Sequence, residues 1–554
     1  MQRAWLLEFN SLGLQLRPQA ANKITEFLRR CEDPNRMVEL LVENTKTYLR
    51  SRQGVVEPII DSSVIEAVIE CMVEVGGVQG GGVDATAEAA RQGIEGLDLG
   101  DGICVYNVMT DVKPYDYQRT TKEWLAAHNP PKIFAGPDHK AKMYADRYHV
   151  LLQRLLLESK LVLEADASNG SLLPGQRVLT PVESLVGNAG RKLTFGLISR
   201  LQDDQSRRWS IEDLHQIYPL ELEVPDVDHL VTDGCFVLAE GEMVGDGEKR
   251  FRVSNLEVPA AVSRQISEEK DQVPPQAFGG TLTDEQLRVL ANSEADNPEG
   301  MYVVLCETHL DSSRVLDKLA DVFQGYEESA PPAVYVFMGS FCSASFVPTS
   351  EGVKSYREGF ERLKFMMRNL TNHVQRGTRF IFIPGPKDPG AQSLPRMPLG
   401  GYLTADLAKD IPGVIMAANP CRIRHFSREV VLFRHDVLRL LRRHEVVPLR
   451  EPGTGGAPSA QHVRTEMVRF LLDQAHLVPL PLAESNILWS FDHALRLYPL
   501  PHAVFIGGIS EPFDCVYQES RFCSVGPFCR DASFFAYYPV TDVLESCDVP
   551  ERAG

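Results

Sequence analysis

The stretch Phe380 to Gly390, F-I-F-I-P-G-P-K-D-P-G, constrains the fold more than any other part of the chain. Four aromatic and β-branched residues that run straight into a Pro/Gly turn describe a strand buried on both faces and ending at a loop. The surrounding chain alternates as such a strand requires: strand Tyr302 to Cys306, helix Ser313 to Gln324, strand Ala333 to Met338, helix Ser355 to Asn372, strand Arg379 to Ile383. The alternation predicts parallel β-α-β units in a layered α/β domain over 300–554. Sites in such sheets lie on the loops at the carboxyl ends of the strands.

A chain of 554 residues is too long for one core, and its periodicity changes several times. Over 1–98, apolar residues at helical spacing (Ala20, Ala21, Ile24, Phe27, Leu28; then Val64, Ile65, Val68, Ile69, Met72) predict a helical bundle, with Ser63 and Glu66 as a capping box. Gly76 to Gly82 is glycine-rich but is followed by Val83 and Asp84 instead of Lys and Ser/Thr, so it reads as a linker and not a phosphate loop. Residues 99–176 read as a connector with one helix from Asp138 to Leu157. Short strands with hairpin signals fill 177–262 and predict a small β-barrel of OB type. Such barrels bind single strands through aromatics among Lys and Arg; here the candidates are Arg207, Arg208 and Trp209 beside several acids, which favours a scaffold barrel. Residues 263–299 read as a polar linker and a short helix started by Thr283 and Gln286, and Glu451 to Ala460 as a disordered loop.

A formal charge of -18 excludes a surface built mainly to neutralise phosphates. Eleven scattered cysteines without any C-x-x-C pair read as reduced thiols of a cytosolic or nuclear protein, and no apolar run is long enough to span a bilayer. Against that acidic background Arg422, Arg424, Arg428, Arg434, Arg439, Arg442, Arg443 and Arg450 form a basic island, read either as a contact surface for an acidic partner or DNA or as a solvated face.

The strand-end loops resemble those of calcineurin-like metallophosphoesterases, which hold two metals through carboxylates and imidazoles on several loops at once. Glu307 and His309 stand where such enzymes show Asp-x-His, and Ser340 where the bridging Asp belongs. Gly385, Pro386, Lys387 and Asp388 take the place of Gly-Asn-His-Asp/Glu, and Gly508 and Ser510 lie where two histidines are needed. Only Glu307, His309 and Asp388 are ligand-capable, and Lys387 offers a cation where a dication would sit, so the resemblance implies a domain without metal, cofactor or catalytic residues. Asp492, His493 and His476 read as a cap and packed side chains.

Further motifs occur in order from about residue 130 to 510: F-A-G-P-D-H-K-A-K-M-Y-A-D-R-Y from Phe134, C-F-V-L-A-E-G from Cys235, L-P-R-M-P-L from Leu394, N-P-C-R-I from Asn419, H-L-V-P-L-P-L from His476 and L-R-L-Y-P-L-P from Leu495. With F-I-P-G-P-K-D-P-G they resemble the B-subunit family of replicative DNA polymerases, on its epsilon branch. The resemblance implies a multidomain α+β chain made of an N-terminal helical bundle, an OB-type barrel and an inactivated calcineurin-like phosphoesterase α/β domain. It also implies a nuclear, non-catalytic scaffold that holds the C-terminal region of the catalytic subunit of DNA polymerase epsilon. The helical domain would meet the GINS component of the replicative helicase, small histone-fold subunits would be further partners, and DNA would be contacted only indirectly. The alternatives are a metal-dependent phosphoesterase or nuclease, and a single-stranded DNA-binding module built on the barrel.

Overall fold

A computed structural model describes 102–551 apart from short breaks at 128, 158–160, 168–174, 187–189, 204–205, 224–226 and 246–249, and before it only 15–16, 20–21, 23–24, 59–60 and 65. The chain divides into two compact units, Met1–Asp98 and Leu99–Gly554. In the first, Ala20 and Ile24 are helical and buried, and Gln15–Leu16 pairs in parallel with Ile59–Ile60, a strand contact that a purely helical reading leaves out. Ile65 is likewise helical and buried, Ala21 is helical, and the other residues of the expected bundle, with Gly76 to Gly82, lie outside the described residues.

The second unit opens with β1 (Ile103–Asn107), the hairpin β2 (Tyr115–Gln118) and β3 (Glu123–Ala126), and α1 (Pro137–Leu157). Strands β4 (Leu161–Leu163), β5 (Arg177–Leu179), β6 (Lys192–Asp203), β7 (Ser206–Glu212), β8 (Ile217–Leu222), β9 (Phe236–Val244) and β10 (Arg250–Glu257) form one sheet in the order β9-β10-β8-β7-β6-β5-β4. Pairing of β9 back onto β6 closes five of them into a barrel filled by Ile198, Ile211, Leu220, Val237, Phe251 and Val253. Opposite Glu240 and Gly241 the register skips Ser254, which bulges β10, and a Cβ at Gly241 would stand 2.0 Å from the Arg252 carbonyl oxygen, so only glycine fits.

Two helices follow, α2 (Arg264–Asp271) and α3 (Asp284–Ala295), and then two six-stranded sheets. The first contains β11 (Tyr302–Cys306), β12 (Val334–Met338), β13 (Arg379–Ile383) and β14 (Val414–Met416), with α4 (Ser313–Glu328), α5 (Ser350–Met367) and α6 (Thr371–Arg376) between them. The second contains β15 (Cys421–His425), β16 (Arg428–Arg434), β17 (Ala503–Gly507), β18 (Phe513–Tyr517) and β19 (Ser520–Val525), with α7 (Val437–Leu441) and α8 (Ala460–Asp473) before β17. The terminal strands β20 (Ser533–Tyr538) and β21 (Val543–Asp548) return to the first sheet, giving β14-β13-β12-β11-β20-β21, and the second reads β18-β19-β17-β16-β15-β1. Strands β11 to β14 are parallel, while the additions at the other edge are antiparallel.

The sheets lie face to face. Tyr302, Val304, Cys306, Val336, Met338, Ile381 and Ile383 meet Cys421, Ile423, Leu432, Phe505 and Cys523 between them. The alternate residues Val303, Leu305, Tyr335, Phe337, Phe380 and Phe382 pack beneath α4 and α5. Burial on both faces explains the unbroken apolar runs. On the helix side, cross-strand partners stack: Tyr335 and Phe380 at 5.3 Å, Phe337 and Phe382 at 4.8 Å between ring centroids, each pair adding roughly 0.5–1.5 kcal/mol beyond area burial.

Four segments differ from the sequence reading. The connector is not independent, because β1 is an edge strand of the second sheet and pairs with β15 from Ile103↔His425 to Asn107↔Cys421. The polar 263–299 segment is a packed piece of the fold: Ser263 caps α2, Thr283 and Gln286 form a capping box on α3, and Phe278 enters the core. Its polar residues are caps and ion-pair partners, so composition alone misread them as a linker. Glu451 to Ala460 folds as a turn closed by Glu451, which accepts from the Ser459 backbone at 2.6 Å. The single helix expected from Ser355 to Asn372 is broken into α5 and α6 at 368–370.

Candidate functional site

The carboxyl ends of β11, β12, β13, β16 and β17 converge at one end of the two sheets. Backbone hydrogen bonds set the convergence: Glu307 donates to the Met338 carbonyl at 2.8 Å, Gly339 to Ile383 at 2.8 Å and His435 to Gly507 at 3.1 Å. The loops approach so closely that a Cβ on Gly339 would lie 2.0 Å from Asp388 Oδ2 and 2.6 Å from the Gly385 nitrogen. Glu307 itself has φ 55, the left-handed conformation that a non-glycine residue adopts under constraint from its surroundings.

Glu307 is 3% exposed, and both carboxylate oxygens are engaged. Oε1 accepts from the Ser340 backbone at 3.0 Å and from the Arg434 guanidinium, and Oε2 lies 2.9 Å from His309 Nε2. Burial opposes ionisation of Glu307, but the His309 and Arg434 contacts outweigh it and hold the carboxyl well below the usual range. Burial likewise works against the His309 cation, yet hydrogen bonds with Cys529 and Glu307 prevail and raise it to about 9. Arg434 is 2% exposed and also donates to Gly339 O, to Asp436 Oδ1 at 3.1 Å and to Gly507 O at 3.1 Å. Burial disfavours its charge, but Cys306, Glu307 and Asp436 turn the balance and raise it above the ordinary guanidinium value.

Asp388 is equally enclosed. Its Oδ1 accepts from the Phe341 backbone at 2.8 Å and the Tyr356 hydroxyl at 3.1 Å, and Oδ2 from the Gly385 backbone at 2.7 Å. Burial pushes this carboxyl up to about 6. The Ser340 hydroxyl accepts from the Lys387 backbone at 3.3 Å, while Lys387 Nζ turns away to the Ser343 carbonyl at 3.0 Å. Pro386 is half-buried in the same turn. Gly508 and Ser510 follow β17, and between them Ile509 donates to Asp436 at 3.2 Å. Glu307, His309, Ser340 and Asp388 thus share one strand-end cluster, and Gly508 and Ser510 border it through Asp436. Among the described residues no group of three or more His, Cys, Asp or Glu side chains is placed to hold a metal ion.

Sequence reasoning missed Arg434, Asp436, Cys529 and Tyr356 as members of this cluster. Arg434 carried one legible signal, since it closes the apolar run V-V-L-F as Glu307 closes Y-V-V-L-C.

The eight arginines of the basic island do not share one surface. Arg422, Arg424 and Arg434 are 3%, 1% and 2% exposed. Arg422 donates to the carbonyls of Ala277, Phe278, His493, Ala494 and Arg496. Arg424 binds Glu429 at 2.7 Å and the Pro275 carbonyl at 2.9 Å. Irregular segments crossing over β15 leave backbone acceptors that a guanidinium satisfies, which draws these arginines inward. Arg428 pairs with Glu294 and Arg442 with Glu445, Arg450 is half-buried, and Arg439, Arg442 and Arg443 remain exposed. On the barrel, Trp209 is half-buried against the core beneath Arg200 at 4.9 Å, Arg208 is half-buried, and the Arg207 side chain lies outside the described residues.

Residues 302–515 match the family model of the DNA polymerase alpha/epsilon B-subunit, and 137–260 match that of the DNA polymerase epsilon subunit 2-like OB-fold domain. The chain thus carries matches to both B-subunit domain models, in order along the sequence. The DNA polymerase epsilon B-subunit of Arabidopsis thaliana is 29% identical over 546 residues, covering 97% of each chain. DNA polymerase epsilon subunit 2 of Homo sapiens is 28% identical over 559 residues, covering 98% of this chain and 97% of its own. A solved archaeal phosphodiesterase is similar over 45% of this chain and 98% of its own at 10% identity, but with a TM-score of 0.24 it carries no weight.

In this chain, the motif residues act as internal clamps. Arg147 on α1 makes a buried ion pair with Asp492 at 2.5 Å, and His476 Nε2 lies 3.2 Å from the same carboxylate. Burial opposes charge on Asp492, but Arg147 and His476 outweigh it and hold the carboxyl far below its usual range, while burial lowers His476 to about 4. Arg396 donates to the Asp388 carbonyl at 2.9 Å.

Proposed function

We infer that this chain is a non-catalytic accessory subunit of nuclear DNA polymerase epsilon, a scaffold whose calcineurin-like domain is inactivated. The observation that carries the reading is co-linearity over nearly the whole length with polymerase epsilon B-subunits, across both the barrel and the two-sheet domain. The strand-end geometry supports the inactive half of the reading. The Glu307 oxygens are taken by Arg434, Ser340 and His309, and those of Asp388 by Phe341, Gly385 and Tyr356, so neither carboxylate is free to share a dication. Two metals do not fit these residues, and no hydrolytic step is assigned to them. The partners this reading names are the C-terminal region of the catalytic subunit, the GINS component of the helicase through the first unit, and the histone-fold subunits.

The test is co-expression of the full chain with the C-terminal region of a polymerase epsilon catalytic subunit. A stoichiometric complex on gel filtration, with no phosphodiester hydrolysis in added manganese, is expected. Failure to associate, together with manganese-dependent turnover lost in His309→Ala, would replace the scaffold reading with an enzymatic one.

A further inference from the structure

We propose that the Arg434 guanidinium is the resident cation of the strand-end site, seated in a shell of oxygen atoms that takes up a small free cation when that side chain is truncated. The inference rests on the reading that no dication occupies the site in the intact chain.

The shell is assembled from both sheets. Glu307 Oε1 and Gly339 O come from the ends of β11 and β12 in the first, while Gly507 O and Asp436 Oδ1 follow β17 and β16 in the second. Every acceptor is an oxygen, two of them carboxylate, and all face a single guanidinium that is 2% exposed. Arg434 thereby does two things a bound ion would do: it neutralises facing carboxylates and ties loops from different strands to one centre. Its position is equally built for the task, because its backbone N–H is fixed to Asn419 Oδ1 at 3.0 Å and its carbonyl accepts from Asn419 Nδ2 at 2.8 Å. With the side chain removed, buried Glu307 keeps His309 as its charged partner, Asp436, 24% exposed, loses its guanidinium, and the shell is left one positive charge short, which is unfavourable where a carboxylate is buried. The vacated shell therefore favours cation uptake. A free guanidinium ion suits the hydrogen-bond geometry, and a hard ion such as Mn²⁺ suits the all-oxygen donor set.

The experiment uses the full chain and its Arg434→Ala variant, melted with and without millimolar methylguanidinium or MnCl₂. Arg434→Ala is expected to melt below wild type and to regain at least about 2 °C with either cation, as a ligand bound only by the folded state must cause. Wild type should not respond, and Arg434→Ala/Glu307→Gln should lose the response. A folded Arg434→Ala chain indifferent to both cations overturns the inference. So does a wild-type chain that binds Mn²⁺ stoichiometrically and loses it on Glu307→Gln. Should Arg434→Ala not fold, Arg434→Lys, which returns a positive charge to the shell, decides: a folded, cation-insensitive variant supports the proposal and an unfolded one counts against it. Loss of the response in Arg434→Ala leaves the scaffold reading intact, whereas manganese-dependent hydrolysis by the intact chain removes both.

Discussion

Glu429 sits between two arginines that lie far from it in sequence or on the neighbouring strand. Arg264 Nη1 is 2.5 Å from Oε2 and Arg424 Nη2 is 2.7 Å from Oε1, with Glu429 3% and Arg424 1% exposed on the side chain. Burial opposes ionisation of Glu429, but the two guanidinium groups prevail and lower it from the usual 4.5 to about 2. Replacing it by Gln removes the carboxylate at Arg424 and leaves two positive charges facing a neutral amide. A pKa difference of that size corresponds to about 3 kcal/mol. The cost of removing one partner of a buried pair, roughly 3–5 kcal/mol, points the same way. Other acceptors hold the loss to the lower end, because Arg264 keeps Glu268 at 2.6 Å and the Leu500 carbonyl, and Arg424 keeps the carbonyls of Pro275 and Gly279. For a unit as long as Leu99–Gly554, an unfolding entropy of about 2 cal/mol/K per residue turns 3 kcal/mol into a fall of about 3 °C in melting temperature. The sign follows from a folded-state value lying below the unfolded one: the contribution is complete above pH 4.5 and is lost as pH falls through 2. The gap between Glu429→Gln and wild type should therefore be full at pH 7 and shrink to about half near pH 3. Calorimetric melts at the two pH values measure it. A variant that melts with wild type at pH 7, or a gap that does not narrow in acid, refutes the assignment of this carboxylate as the charge that holds α2 against the second sheet.

Gly339→Ala places a methyl group 2.0 Å from Asp388 Oδ2 and into the backbone of the Gly385 loop, so soluble yield and melting temperature should fall by the equivalent of at least about 2 kcal/mol, as expected for overpacking; a variant that melts normally would show that the loops are not in contact. His309, raised to about 9, contributes stability that is complete below its ordinary 6.5 and disappears as pH rises through 9. Wild type should accordingly lose melting temperature relative to His309→Gln between pH 7 and 10, and parallel curves would dismiss the Glu307–His309 pair.

Much of the architecture was legible because burial on two faces leaves a trace in one dimension. Y-V-V-L-C, V-Y-V-F-M and F-I-F-I could be read as central parallel strands because each of their residues contacts either the other sheet or a helix. The barrel was legible in the alternation of T-F-G-L-I-S and F-V-L-A-E-G, where alternate residues fill its interior. Caps were equally readable, since Thr283 and Gln286 satisfy each other's backbone within one turn. The polar 263–299 segment was not, because Arg264 finds its partner at Glu429 and Glu294 accepts from the Ser427 hydroxyl, each more than a hundred residues away.

The sequence by itself determined the central strands β11, β12 and β13 and the helices between them, and that the loops after β12, β13 and β17 carry serine, proline, lysine and glycine. Only the tertiary structure decided where the charges go. Arg434 and Arg439 look alike in a basic run, yet one is enclosed with Glu307 and the other faces solvent. The reason is physical: a guanidinium enters the interior only where carboxylates and unpaired carbonyls converge on it, and these come from strand ends that the fold alone brings together.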